Sequence, residues 1–119
     1  MAQNPSRLIG SIVFRVEGDG CLTSKYHHED SRECPFTEAC KLISKNGSTA
    51  RYIGSYRSVW LEDANTHVPA ILVIESHPLN TALFKLTWHQ PGAPSDIIFS
   101  GSGMLYENFL VGAYWDENI

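Results

Sequence analysis

Short stretches in which apolar and polar residues alternate recur along the chain, and they constrain its fold more than any other feature of the sequence. In 82–89, Phe84, Leu86 and Trp88 occupy alternate positions between more polar residues. Successive side chains of a β-strand point to opposite faces, so this spacing predicts a strand with one buried face. Similar patterns predict strands at 8–16, 21–26, 50–62, 68–76, 82–89, 97–105 and 108–115.

The segments between these strands are short and rich in turn-forming residues. Gly18 and Gly20 follow the first strand in "EGDG", and "QPGAPSD" (90–96) has the composition of a loop. No helical pattern recurs between the strands, which indicates an antiparallel meander rather than a parallel sheet. Glycines inside strands, such as Gly54 and Gly101, are typical of strands that bend. We therefore predict an all-β fold, a small antiparallel up-and-down β-barrel of seven or eight strands, with an open sheet or sandwich as the alternative.

One segment, 36–45, fits two structures. Four of its residues have the i, i+3, i+4, i+7 spacing of a helix, namely Phe36, Ala39, Cys40 and Ile43. The following Asn46-Gly47 is instead a strong signal for a type I′ turn, which would join a strand at 38–45 to the next one. We favour one short helix at about 36–45; the strand is the alternative and would bring the number of strands to eight.

Composition is typical of one soluble globular domain. The 119 residues are 43% hydrophobic and 18% charged, so we expect a single β-barrel domain over 1–119, with a flexible N-terminus at 1–7. The net charge of −4 and the scattered basic residues argue against a nucleic-acid partner. No apolar run is long enough to span a bilayer, and the start lacks the profile of a secretory signal. We therefore expect a cytoplasmic protein without a membrane partner.

Three cysteines, Cys21, Cys34 and Cys40, lack the C-x-x-C spacing of common metal and redox motifs. In the cytoplasm such residues are normally reduced thiols. A bridge from Cys21 to one of the other two is the alternative.

Two stretches are similar to segments of known small barrels. "FRVEGDGCLTSKY" (14–26) is a strand, a Gly/Asp turn and a strand that ends Thr-x-x-Tyr, and "RYIGSYRS" (51–58) is a strand with spaced tyrosines and a glycine. Both resemble the first strands of streptavidin-like proteins, which belong with the lipocalins to the calycin group. The resemblance implies a barrel that holds a small ligand, with Tyr26 in contact with it. His28 stands two residues on, where biotin-binding members carry a serine.

Strand direction indicates where a ligand would enter. Consecutive antiparallel strands reverse direction, so every second connection lies at the same end of the sheet. The long polar segments 62–68 and 90–96 would then share one rim, where barrel ligand sites open, and 27–37 would join them if 38–45 is a strand. Aromatic side chains on the predicted inner faces would line the site, and Tyr26 and His28 would lie near its opening. The predicted ligand-binding residues are Tyr26, His28, Tyr52, Tyr56, Trp60 and Trp88.

We interpret the chain first as a binding module for a small, partly apolar molecule. The alternative is an enzyme on the same scaffold, an isomerase, cyclase or hydrolase, with His67, His89 and Asp63 as acid–base groups. A protein-interaction domain is the third possibility. Neighbouring His27 and His28 point to opposite sides of an extended chain, and no metal-ligand spacing is present, so we expect no metal and no cofactor.

Two predicted strands are apolar on both faces. They are "AILVI" (70–74) and "FLVGAYW" (109–115). A barrel strand that faces water on its outer side should alternate, so a second apolar face indicates that another subunit covers it. We therefore expect a homo-oligomer.

Overall fold

The computed structural model describes residues 9–28, 36–61 and 67–117, and these residues form eight antiparallel strands. The strands are β1 (Ile9–Gly18), β2 (Cys21–His28), β3 (Phe36–Ser44), β4 (Gly54–Leu61), β5 (His67–His77), β6 (Asn80–Gln90), β7 (Ala93–Tyr106) and β8 (Phe109–Asp116). Each strand pairs with the next, and β8 pairs with β1. The predicted all-β, closed up-and-down barrel is thus confirmed, with eight strands.

The short helix that we favoured at 36–45 is wrong, because this segment is strand β3. Its backbone pairs with β2 from Tyr26↔Phe36 onward and with β4 through Leu42↔Tyr56. A helix here would leave two strand edges unpaired and the barrel open. The turn after β3 has the positive φ values that type I′ requires, 56° at Asn46 and 79° at Gly47.

The predicted loop at 90–96 is also shorter than expected. Gln90 pairs with Ala93, so Pro91 and Gly92 alone form the turn between β6 and β7. Gly92 has a φ of 77°, which is the conformation that follows proline in a type II turn. A shift in register between His89 and Gln90 then accommodates the remaining residues within β7.

Alternate side chains of seven strands, all except β7, form one apolar interior together with Tyr52. Its buried apolar members are Ile12, Phe14, Leu22, Cys40, Tyr52, Tyr56, Trp60, Ala70, Leu72, Ile74, Phe84, Leu86, Trp88, Leu110 and Tyr114. We call the end where β2, β4, β6 and β8 finish the mouth of the barrel, and the opposite end the base.

Tyr52 closes the base. It is 1% exposed, and its hydroxyl donates to the carbonyl oxygens of Phe14, at 3.2 Å, and Asn108, at 2.5 Å. Its φ of 75° is rare for an aromatic residue, so these contacts hold a strained backbone in place. The Tyr52 carbonyl in turn accepts a hydrogen bond from the Tyr56 hydroxyl at 2.8 Å. The base is therefore sealed by a tyrosine that precedes β4.

Glycines allow the last two strands to lie against each other at a sharp curl. A Cβ atom on Gly101 would be 2.5 Å from the Ala113 carbonyl oxygen, and one on Gly112 would be 2.4 Å from that of Ser102. Any larger residue would therefore push β7 and β8 apart.

Within the described residues no helix is long and apolar enough to cross a membrane. Cys21 and Cys40 are free thiols. The predicted flexible segment 1–7 and Cys34 lie outside the described residues.

Candidate ligand site at the mouth of the barrel

Glu38 lies inside the barrel, surrounded by side chains that donate hydrogen bonds to it. It is 1% exposed. The hydroxyl of Ser24 on β2 donates to Oε1 at 2.7 Å, and the hydroxyl of Ser58 on β4 donates to Oε2. The indole of Trp88 on β6 donates to Oε2 at 2.7 Å. Donors from three strands thus hold one buried carboxylate in a fixed position.

Local sequence explains this arrangement. Phe36, Glu38 and Cys40 alternate along β3 and face the interior, while Thr37 and Ala39 are exposed. Register then places Ser24 directly opposite Glu38 on β2.

The thiol of Cys40 lies beside this carboxylate and is also buried. Burial, reinforced by the negative charge of Glu38, raises the pKa of the thiol well above its ordinary value. Cys40 is therefore a protonated, unreactive thiol at neutral pH. It packs in the core and is not a nucleophile.

Six aromatic residues line the mouth half of the interior, and we call them the aromatic wall. They are Tyr26, Phe36, Trp60, Trp88, Phe99 and Tyr114. Their rings follow one another without interruption, with centroids 5.5 Å apart for Phe99 and Tyr114 and 5.9 Å apart for Trp60 and Phe99. Three of these residues, Tyr26, Phe36 and Phe99, are half-buried, and the other three are buried.

Tyr114 is the centre of this wall. Its ring contacts those of Tyr26, Trp88 and Phe99, and it is 5% exposed. Its hydroxyl is buried and has no hydrogen-bond partner among the described residues. Burial, together with the charge of Glu38, raises the pKa of Tyr114 to about 12, so the hydroxyl is protonated at neutral pH. It can therefore both donate and accept a hydrogen bond.

Gly10 provides the space for that ring. It pairs with Tyr114 across the β1–β8 seam, and a Cβ atom here would lie 2.3 Å from Cζ of Tyr114. The tyrosine ring thus lies directly over a position that must be glycine.

His28 occupies the edge of the mouth. Its ring stacks on Phe36 with a centroid distance of 6.2 Å and an interplanar angle of 17°. Its Nδ1 is buried, and no partner for it occurs in the part of the chain that the structure describes. His28 and Tyr114 thus each bring an unpaired polar atom to the aromatic mouth.

The six predicted ligand-binding residues divide between the two ends of the barrel. Tyr26, Trp60 and Trp88 belong to the aromatic wall in the mouth half, and His28 stacks on its member Phe36. The other two, Tyr52 and Tyr56, lie at the base, where their hydroxyls bond to backbone carbonyls. Burial raises the pKa of Tyr56 to about 12. The base tyrosines therefore have a clear role in closing the barrel.

The predicted acid–base residues lie apart from the aromatic wall. His67 is exposed and pairs with Leu61, while His89 is half-buried and pairs with Ile71 further along β5. At about 3.3 Å per residue, four positions separate the two histidines by roughly 13 Å along the sheet. Nδ1 of His89 contacts the backbone oxygen of Gln90 at 2.8 Å. Asp63 lies outside the described residues, so catalysis by this trio stays a prediction.

Within residues 9–28, 36–61 and 67–117, no group of three or more His, Cys, Asp or Glu side chains could hold a metal ion.

Glu38, Ser24, Phe99 and Tyr114 were missed as site residues by the sequence reasoning. The signal for Glu38 was its position between Phe36 and Cys40, which becomes visible only when 36–44 is treated as a strand. For Tyr114, the signal was its alternation with Leu110 along β8.

No protein-family model, curated protein sequence or solved structure matches this chain significantly.

Proposed function

We propose that this protein binds one small, partly apolar molecule in the mouth half of the barrel. The observation that carries the proposal is the unpartnered Tyr114 hydroxyl, which is buried among aromatic rings. Buried polar groups almost always have a hydrogen-bond partner, and leaving one unpaired costs about 1–3 kcal/mol. A bound molecule with one polar group would supply the missing partner.

The rest of the mouth supports the same function. Small-molecule sites combine apolar or aromatic walls with a few convergent polar groups. In this barrel the aromatic wall supplies the apolar surface, and the Tyr114 hydroxyl and Nδ1 of His28 supply the polar groups. Barrels of eight strands have an interior just wide enough for side chains or for one small ligand. A ligand in this position is also what the calycin resemblance implies, and kinship with avidins or lipocalins is part of this proposal.

Binding of phenethyl alcohol and of indole, followed by isothermal titration calorimetry, tests the proposal. We expect the wild-type protein to bind at least one of them, and the variant Tyr114→Phe to bind it roughly tenfold more weakly, as loss of one hydrogen bond predicts. The matched control is Tyr106→Phe, because Tyr106 is 68% exposed at the base and its loss should leave binding unchanged.

The stability of Tyr114→Phe distinguishes a hydroxyl that binds ligand from one that only stabilises the fold. If the Tyr114 hydroxyl has no partner in the free protein, Tyr114→Phe should be as stable as wild type or more stable, although it binds less well. The proposal is wrong if neither these compounds nor the related amine phenethylamine binds, or if Tyr114→Phe binds as tightly as wild type.

A further inference from the structure

The buried carboxylate of Glu38 has no basic partner among the described residues. Its three donors, Ser24, Ser58 and Trp88, are all neutral. Among the described residues, no Lys or Arg side chain is buried. His28 lies four positions along β2 from Ser24, or roughly 13 Å at about 3.3 Å per residue, which is too far to pair with the carboxylate. Buried carboxylates are normally paired with a cation, and the described residues supply none to Glu38, so a bound cation would complete its pairing.

The field of this carboxylate extends to the aromatic wall. Trp88 donates to Glu38 and its ring lies edge-on to Tyr114 with centroids 6.2 Å apart, and the charge of Glu38 contributes, after burial, to the raised pKa of Tyr114. Aromatic rings also present partial negative charge on their faces and attract cations within about 6 Å of the ring centre. The mouth half of the barrel is therefore electrostatically unfavourable for an anion and favourable for a cation.

The two unpartnered polar atoms have matching chemistry. The oxygen of Tyr114 accepts hydrogen bonds, and so does Nδ1 of His28 when it carries no proton. An ammonium group has three donors and no acceptor.

From this combination we infer that the molecule bound at the mouth carries a positively charged amine on an apolar, aromatic-sized body. The ammonium lies between the Tyr114 oxygen and the Glu38 network, and the apolar body packs against the aromatic wall. This inference rests on the proposed binding function and adds the chemical class of the ligand.

Three matched probes test the charge preference, namely phenethylamine, phenethyl alcohol and phenylacetate. They share a phenyl ring and differ in carrying a positive, a neutral or a negative group. By isothermal titration calorimetry, we expect wild type to bind phenethylamine about tenfold or more tightly than phenethyl alcohol, the size of one desolvated cation–π contact or one charged hydrogen bond. Phenylacetate should bind most weakly.

Removal of the charge at Glu38 is the second test. Glu38→Gln keeps the shape of the side chain, and we expect it to bind the amine and the alcohol with nearly equal affinity. Glu17→Gln is the matched control, because Glu17 is an exposed acid with Arg15 and Thr23 as partners on the outside of the barrel. It should keep the full preference. If Glu38→Gln does not fold, the comparison of the three probes on wild type decides alone.

The outcomes distinguish this inference from the proposed function. The inference fails, and the function stands, if phenethyl alcohol or phenylacetate binds wild type at least as tightly as phenethylamine. It also fails if folded Glu38→Gln retains the preference for the amine. If none of the three probes binds, both the inference and its premise fail.

Discussion

Nε1 of Trp88 donates a hydrogen bond to Oε2 of Glu38 over 2.7 Å, and this contact joins β6 to β3 across the inside of the barrel. The two strands are not neighbours in the sheet, because β4 and β5 lie between them. The bond therefore connects opposite walls, which backbone pairing alone does not do. It also fixes one ring of the aromatic wall over the buried carboxylate.

Removal of this donor should weaken the fold. Oε2 of Glu38 accepts hydrogen bonds from Ser58 and Trp88. Trp88→Phe keeps an aromatic ring but removes the Trp88 donor, so that only the Ser58 bond of these two remains. We expect a loss of about 1–3 kcal/mol in the free energy of unfolding, measured by urea denaturation. Trp115→Phe is the control, since its indole donates to the exposed Glu117, and a change within about 0.5 kcal/mol is expected. Equal effects of the two substitutions would contradict the role of the internal bond.

Tyr52→Phe should open the base of the barrel. The substitution removes the hydroxyl that bonds to the Phe14 and Asn108 carbonyls, while the strained φ of 75° remains. We expect a destabilisation of about 1–2 kcal/mol and faster amide hydrogen exchange near Asn108. Tyr106→Phe, at an exposed site near the same end, should change neither quantity. Unchanged exchange at Asn108 in the Tyr52 variant would show that the hydroxyl does not hold the base closed.

Gly10→Ala should disturb Tyr114. The added Cβ would lie 2.3 Å from the tyrosine ring, which is itself packed against Tyr26, Trp88 and Phe99 and has little freedom to move. We expect a loss of about 1–3 kcal/mol in stability, as for other overpacked sites, and weaker binding of phenethyl alcohol. The adjacent Ser11 side chain points outward, so Ser11→Ala is expected to leave stability and affinity unchanged. A stable Gly10→Ala protein with wild-type affinity would be evidence against this packing.

Alkaline pH should destabilise the protein through its buried tyrosines. The pKa values of Tyr56 and Tyr114 are both raised to about 12 in the folded state, against an ordinary value near 10. Between these values the unfolded chain loses protons that the folded chain keeps. The stability is therefore fully present below pH 10 and is lost as the pH rises towards 12.

Urea denaturation at a series of alkaline pH values measures this dependence. The double variant with Tyr56→Phe and Tyr114→Phe should lose stability less steeply over the same pH range. If wild type and the double variant show the same slope, the two tyrosines do not cause it.

The predicted homo-oligomer would bury an apolar strip on the outer face of the barrel. Met104 pairs with Val111, and Val111 with Val13, so apolar side chains lie side by side on β7, β8 and β1. Met104 is 57% exposed, and Phe109 is 38% exposed. We expect size-exclusion chromatography with light scattering to give an oligomer for wild type and a smaller species for Met104→Lys.

A charge substitution elsewhere on the outer face provides the control for that experiment. Glu75→Lys lies on β5, away from the apolar strip, and should leave the oligomer intact. A wild-type protein that stays monomeric at high concentration would contradict the prediction.

The alternation of side chains was sufficient to predict the barrel, but it failed at β3 for a specific reason. Phe36, Ala39, Cys40 and Ile43 have helical spacing by coincidence, whereas the residues that face inward include the charged Glu38. An acid on the apolar face hides the strand pattern. It is acceptable there because the neighbouring strands β2 and β4 supply Ser24 and Ser58 and the more distant β6 supplies Trp88. Sequence spacing does not reveal such long-range partners.

The sequence predicted only part of the candidate site, because it indicates which side chains face inward but not how deep they lie. Strand periodicity correctly placed Trp60 and Trp88 inside the barrel, although it could not indicate how far each lies from the mouth. In the sequence, Tyr52 continues the alternation of β4. In the structure it has a φ of 75° and precedes the strand, at the base. Depth along the barrel depends on register and closure, which are properties of the whole sheet.

Closure of the barrel between β1 and β8 would make the proposed ligand site a reporter of completed folding. Ile9 pairs with Trp115, and Gly10 with Tyr114, so the seam joins residues from opposite ends of the described chain. Such contacts have the highest sequence separation in the fold and carry the largest loop-closure entropy. A nascent chain that still lacks β8 has neither the seam nor the tyrosine at the centre of the mouth. Ligand capture would therefore distinguish the finished ring from every partly assembled sheet that precedes it.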